Sequence, residues 1–561
     1  MPTEALRAQL ARVAGELAGS DDVPVQLDRP RNPEHGDIAS NLAMLLAKRV
    51  GQPPRAIAEQ IIARLDLDAA GVRSAEVAGP GFINFRLAQA SLSAKLVEVV
   101  DADETYGRST SGGGKRVQVE FVSANPTGPL HVAHGRGAAI GDGISSLLEW
   151  TGWNVTREFY VNDAGVQIDR LAESIEARWL TLNGTETPIP ENGYHGEYVI
   201  ELAQQLERER GDELRAMDRP ARLKVMRDFG VRVMGEEHDR DLREFGVVFD
   251  TYFRESSLYE EDRLTETLND LASHGLTYEQ DGAVWLRTTA FGDDKDRVLV
   301  KSDGTYTYFL PDLAYHREKA KRFDYVINVW GADHHGYVPR MKAALAALGH
   351  PDLLDVEIVQ MVRIVRGGEE VKLSKRAGNI VTLRDLFTET GVDVARYFFL
   401  MRRADAQMLF DLDLALDQSE KNPVYKVQYA HARMMSIFRK AGVDPGALRV
   451  EASQLDRLTD PSEQELIKQL AEFPSVVQRA ADARAPHLLC DYLEATASLV
   501  NSWYHAGNPS RNPALAVLVD DDELRAARLV LARGVRTVLR NGLHILGLNA
   551  PDRMDREENA A

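Results

Sequence analysis

The stretch PTGPLHVAHGRGAAIGD, residues 126–142, follows the strand-like RVQVEFV (116–122) and runs into a helical pattern. It sets His131 and His134 three apart at a helix mouth, with Gly135, Gly137 and Gly141 close behind. A helix N-terminus offers unpaired N–H groups and a partial positive charge, so it favours an anion, most often phosphate. The glycines would let such a ligand approach closely. A plain phosphate site needs nothing more. Two imidazoles projecting from neighbouring positions suit a reaction in which charge builds up on a phosphoryl group and must be stabilised in place.

Outward from this stretch, short apolar runs alternate with helical ones. YTYFL (306–310) precedes PDLAYHREKAKR, YVINVW (325–330) precedes VPRMKAALAAL, and VEIVQMVRIV (356–365) follows. That alternation predicts an α/β fold, a Rossmann-like parallel sheet covered by helices, over residues 109–410. Charged helical sequence at about 170–284 reads as a helical insertion, broken irregularly at NGTETPIPENGYHG (183–196). Residues 1–108 mix helices with the strand-like AEVAGPGFINFRL and read as a small α+β domain. It closes at GRSTSGGGKR (107–116), a run of the flexible-linker type. After Asp411 strand signals disappear, and residues 411–561 read as an α-helical bundle.

With 561 residues, 44% of them hydrophobic, the chain can bury several cores. Its net charge of -19 argues against a general grip on nucleic acid but leaves room for one basic face. The one cysteine, Cys490, lies in apolar helical surroundings, which predicts a buried structural residue and excludes a disulfide framework. The N-terminal stretch carries Glu4 and Glu16 and lacks the apolar core of a signal peptide. No run approaches the roughly twenty apolar residues of a membrane span. A cytoplasmic protein without a membrane partner is expected.

A second chemical feature is RGGEEVKLSKRAGN (366–379), where Lys372, Lys375 and Arg376 sit among glycines just after a strand. A mobile loop with three cations can close over a polyphosphate and neutralise departing pyrophosphate. By itself such a loop is ordinarily a solvated turn. The paired histidines give it its weight.

HVAH (131–134) and KLSKR (372–376) look like the two nucleotide-binding signatures of class I aminoacyl-tRNA synthetases. EFVSANPTGPLHVAHGRGAAIGD, YVNDAGVQIDRLAES, KSDGTYTYFLPDLAYH, VWGADHHGYVPRMKAAL, MVRIVRGGEEVKLSKRAGN and NPVYKVQYAHAR are each similar to arginyl-tRNA synthetase. The resemblance implies an ATP site of His131, His134, Gly135, Gly137, Gly331, Asp333, Lys372, Ser374 and Lys375, of which His131, His134, Lys372 and Lys375 act in catalysis. It implies an arginine site of Glu120, Asn125, His131, Tyr308 and Asp312. A planar five-donor guanidinium wants fixed carboxylates and a flat polar neighbour, which agrees with that set. ATP with Mg2+ and L-arginine are the implied small molecules, and the tRNA for arginine is the implied partner. No DNA partner or resident metal site is expected, and a monomer is. The N-terminal domain resembles the module that touches the outer corner of tRNA, and the C-terminal helices resemble the anticodon-binding bundle. Family members generally need bound tRNA before they activate arginine. Two positions depart from the usual signatures: Ala133 stands where glycine is usual, and Arg376 where serine is frequent.

Other readings stay open at this level. GRGAAIG with Glu158 as a ribose-binding acid suggests a dinucleotide fold, although the spacing is GxGxxxG. His131 and His134 with His334 and His335 suggest a zinc site. A catalytically silent paralogue is a third alternative. In GADHHG (331–336) the plainer reading is a helix start capped by Asp333 with a partly buried histidine. On the last helix Arg525, Arg528, Arg533, Arg536 and Arg540 fall along one stripe. Arg536 and Arg540 are the expected tRNA contacts, with a solvated face as the alternative.

Overall fold

The structure is a computed structural model that describes residues 2–554 apart from 20–21, 31, 164, 261, 372–380, 450, 509 and 511. Helices Pro2–Ala18, Leu42–Val50 and Pro54–Ala63 pack on a three-stranded antiparallel sheet ordered Ile38–Ser40, Phe82–Leu87, Val72–Ala78. Their apolar faces form a core of their own, from Leu6 to Phe85. The next helix, Gln89–Ala102, buries Leu92, Leu96 and Val99 in a different core, against the C-terminal helices. The first unit therefore ends near residue 87 and not at 108, because the apolar stripe of that helix faces away from it.

The central sheet has five parallel strands in the order Leu354–Val359, Tyr325–Gly331, Arg116–Glu120, Asn154–Val161, Thr251–Arg254. Val117, Gln118, Val119 and Glu120 are all buried, as expected of a strand covered on both faces. From Arg116–Glu120 the chain first adds a strand on one side and later Tyr325–Gly331 on the other. The crevice at the carboxyl ends of these two strands is thus the topological switch point, where such sheets bind ligands.

Three expectations change here. Residues 306–310 form no strand: Tyr306 makes an isolated bridge to Val300, and the helix Phe309–Arg322 has begun, with Pro311 in its first turn. The region 170–284 is not wholly a helical insertion. Helices Val166–Leu182, Glu197–Ala216 and Arg219–Glu244 are followed by the edge strand Thr251–Arg254 and by the hairpin Thr277–Gln280/Ala283–Leu286. The GRSTSGGGKR run is pinned and does not behave as a loose tether. Ser109, Gly112 and Gly114 N–H groups bond the carbonyls of Trp150, Thr151 and Gly152, and Ser109 and Ser111 hydroxyls reach Gln478. A Cβ at Gly112 would lie 2.4 Å from the Trp153 ring, so glycine there serves close packing.

Helices Pro423–Ala441, Pro461–Asp482, His487–Ala506 and Asp522–Ile545 form the C-terminal bundle. Asn422, Asp460 and Asp521 side chains cap the first, second and fourth of them. Cys490 is buried and free. Arg396, fully buried, joins three parts of the molecule. It donates to Asp142 Oδ2 (2.6 Å) on the helix Val132–Trp150, to the Phe245 carbonyl (3.0 Å) after helix Arg219–Glu244, and to the Leu546 carbonyl (3.1 Å) ending the last helix.

Candidate active site

Helix Val132–Trp150 begins at the carboxyl end of the central strand, with His131 as its extended N-cap. The backbone N–H of His131 donates to His134 Nδ1 at 3.3 Å, and the two rings stack at 3.6 Å between centroids. With Nδ1 accepting, His134 carries its proton on Nε2 and presents a neutral donor. Burial, with help from neighbouring His131 and His238, pushes its pKa down to about 2, and burial lowers that of His131 too. The loop before the helix is clamped from the insertion. His238 Nε2–H donates to the Gly128 carbonyl and the Tyr198 hydroxyl to the Thr127 carbonyl, each at 2.7 Å.

Two of the three glycines serve packing, while a Cβ at Gly137 would meet nothing within 4 Å. A Cβ at Gly135 would meet Leu383 Cδ1 at 2.5 Å, and one at Gly141 the Phe121 ring at 2.2 Å. Both serve packing of the catalytic helix against its neighbours, and Gly137 is buried as well. Lys372, Ser374 and Lys375 lie outside the described residues. The segment that follows them returns to the histidines, for Val381 accepts the Val132 N–H at 3.2 Å and His131 bridges Thr382. Gly331 and Asp333 sit exposed at the end of strand Tyr325–Gly331. A short helix does start in GADHHG, at Ala332, but Gly331 and not Asp333 is its cap, and His334 and His335 are both exposed. Among the described residues no group of three or more His, Cys, Asp or Glu side chains is placed to hold a metal ion.

Across the switch point lies an acidic, aromatic cluster of side chains. The Tyr337 hydroxyl donates to Asp312 Oδ2 at 2.5 Å. Burial first, then the charges of Glu255 and Glu120, push the Asp312 carboxyl up to about 7. Burial and Asp163 likewise raise Glu255, which follows the edge strand and shares a hydrogen bond with Tyr160. Glu120 pairs with the fully buried Lys319, and Ser123 Oγ donates to its other oxygen at 3.0 Å. Asn125 donates to Gln167 at 2.6 Å, and Tyr308 stands 87% exposed at the rim. Val122 and Ser123 have φ of 67° and 42°, costly for non-glycine residues, and the Ser123 bonds to Glu120 and to the Tyr160 N–H hold that turn in place.

Of the expected site residues, Glu120, Asn125, His131 and His134 follow one another from the carboxyl end of the central strand to the start of the next helix, and Asp312 stands in the first turn of helix Phe309–Arg322. The structure adds Glu255, Tyr160, Tyr337 and Lys319, which sequence reasoning missed. Glu255 was hidden because its strand had been counted into the insertion. Its position after VVFDTYFR, a short alternating run, is the signal that marks it. Glu158 is spent inside the protein, bonded by Gln118 (2.7 Å), Tyr315 (2.6 Å) and Arg322 (3.1 Å), so it is no ribose acid.

The arginine stripe of the last helix is also not a free face. Arg528 pairs with Glu463, and Arg533 and Arg540 reach Asp103 at 3.2 and 2.7 Å. Arg536 is half-buried. The stripe fastens the last helix to the segment after helix Gln89–Ala102.

Residues 95–408 match a family model described as tRNA synthetases class I (R), catalytic domain. The sheet and its histidine-bearing helix are therefore the catalytic domain of a class I aminoacyl-tRNA synthetase. Residues 3–87 match the arginyl tRNA synthetase N terminal domain and residues 427–554 the DALR anticodon binding domain. The chain belongs to the arginyl-tRNA synthetase family. It is 48% identical to the arginine–tRNA ligase of Geobacillus kaustophilus, covering 97% of each chain, and 45% identical to that of Bacillus subtilis, covering 96% of each. The solved Thermus thermophilus arginyl-tRNA synthetase superposes with a TM-score of 0.78 at 25% identity, over 99% of this chain and 100% of that one.

Proposed function

We infer that the chain is an arginine–tRNA ligase whose carboxylate cluster selects L-arginine. What supports this is the cluster of Asp312, Glu255, Tyr160 and Tyr337, in which the charge of Glu120, the last residue of the strand that leads toward the histidine helix, also acts on Asp312. A guanidinium suits partly desolvated carboxylates and flat polar rings. Asp312 is its direct partner and Glu255 completes the negative field. Glu120 and Asn125 face the α-amino group. The arginine carboxylate attacks the α-phosphorus of ATP, the bond to the β-phosphate oxygen breaks, and pyrophosphate leaves. A ribose hydroxyl at the tRNA terminus then attacks the arginyl carbonyl and AMP departs.

His131 and His134 act as neutral donors to phosphate oxygens, so they stabilise charge without exchanging protons. Lys372, Ser374 and Lys375 act on the phosphates of ATP, and Val381, which follows that signature, is tied to Val132. Magnesium, carried in as the complex with ATP, would share the phosphate charge beside the donors of His131 and His134. For tRNA, the C-terminal bundle offers a better surface than Arg536 and Arg540. Tyr425 and Tyr429 stack at 5.7 Å, and the Arg433 guanidinium covers the Tyr429 and Tyr504 rings at 4.7 and 4.5 Å. Such a platform stacks unpaired bases. A monomer in the cytoplasm fits this role, and among the described residues no helix is long and apolar enough to cross a membrane.

The test is charging of tRNA by purified protein with each of arginine, lysine and citrulline. Arginine alone should be esterified efficiently. Equal charging with lysine would remove the guanidinium assignment.

A further inference from the structure

Lys319 is fully buried on helix Phe309–Arg322, one face of which carries Asp312, His316 and Lys319 at helical spacing. Its ammonium has three neighbours: Glu120 Oε2, Asn328 Oδ1 at 2.9 Å, and the Tyr315 ring at 4.2 Å. Glu120 and Asn328 are register partners on adjacent parallel strands, so one cation closes the switch point between them. From Asn328 the bonds continue. Its Nδ2 donates to His316 Nε2 at 2.8 Å, and His316 Nδ1 donates to the Asp312 carbonyl at 2.7 Å. An ammonium can only donate. Lys319 therefore dictates the direction of every later bond: Asn328 must turn its oxygen to the lysine and its amide to the imidazole, and the imidazole must carry its proton toward Asp312.

We propose that Lys319 is a positioning residue that assigns different tasks to the two carboxylates of the amino-acid site. It neutralises Glu120 directly, so that carboxylate does not compete for the guanidinium. Through Asn328 and His316 it fixes the backbone that carries Asp312, so that Asp312 takes the guanidinium. Removing the cation both frees a negative charge in the wrong place and lets the imidazole and amide flip. The proposal rests on the arginine reading of this cleft. It goes beyond that reading by naming what allots the carboxylates.

The experiment compares Lys319→Met, Glu120→Gln and the double variant, with steady-state aminoacylation read as separate KM values for arginine and ATP. Lys319→Met should raise the arginine KM about tenfold or more and leave the ATP KM within about twofold, because the imidazoles that meet ATP are untouched. The double variant leaves no buried charge unpaired, and it carries the test if the single variant does not fold. Its arginine KM should stay roughly fivefold above that of Glu120→Gln alone, since the relay has still lost its donor. If the double variant matches Glu120→Gln, Lys319 is only a counter-charge and the proposal is overturned. Parallel increases in both KM values for Lys319→Met overturn it as well. A parental arginine KM in Asp312→Asn would instead sink the arginine assignment itself, whatever Lys319 does.

Discussion

Asp312 is where the chemistry of the amino-acid site is concentrated, and it makes two predictions. Asp312→Asn keeps the shape and the Tyr337 contact but removes the charge, which should cost about 2–5 kcal/mol in kcat/KM for arginine. Citrulline, similar in shape but neutral, should lose much less; equal losses for the two compounds would contradict a direct ion pair. The free carboxyl is pushed up to about 7, chiefly by burial, whereas bound guanidinium favours the ionised form. Arginine affinity should therefore fall as pH drops below 7, and binding at pH 6 should release close to one proton. Calorimetry in two buffers of different ionisation enthalpy measures that release, and Asp312→Asn should abolish it. Asp312 and Glu120 were legible through the resemblance of EFVSANPTGPLHVAH and KSDGTYTYFLPDLAYH to arginyl-tRNA synthetase. Lys319 was not, since a lysine in AYHREKAKR reads as solvated until the fold buries it against Glu120 and Asn328.

At the scale of elements, the alternation of strand and helix gave away the parallel sheet, and the histidine pair marked the catalytic helix. The failures have physical causes. Thr251–Arg254 is a short edge strand embedded in charged sequence, and Tyr306–Leu310 has strand-like alternation overridden by the helix that Pro311 helps to start. Arg533 and Arg540 could not be read as internal pairs because their partner, Asp103, is more than four hundred residues away in sequence. Asp103→Ala removes the carboxylate from both Arg533 and Arg540 and should destabilise the protein by about 1–3 kcal/mol in denaturant unfolding. Affinity for tRNA and its salt slope should stay parental. The RNA effect belongs to the aromatic platform, where Tyr429→Ala should weaken tRNA binding by about 1–3 kcal/mol with little change in stability. Filter binding over a salt series separates the two; a tRNA loss in the Asp103 variant alone would reverse this assignment.

Across the whole molecule, buried neutral imidazoles recur in the catalytic helix, the insertion and the sheet core. Burial holds His134 at about 2 and His316 at about 3, and lowers His238 as well. Unfolded, each takes up a proton near pH 6.5, so stability is present above that value and is lost as pH falls below it, by about 1.4 kcal/mol per site per unit. The Tm should drop between pH 7.5 and 5.5, and a flat profile would mean these rings are protonated in the folded protein. Buried Arg396 ties the helix Val132–Trp150, the end of the insertion at Phe245 and the end of the last helix at Leu546 to one another. The central claim, that the acidic cluster and the paired histidines activate arginine, is tested most directly by ATP–pyrophosphate exchange in the presence of tRNA. Exchange should depend on arginine, should collapse in Asp312→Asn, and should not be supported by lysine. Exchange that proceeds without arginine, or that survives Asp312→Asn unchanged, would contradict it.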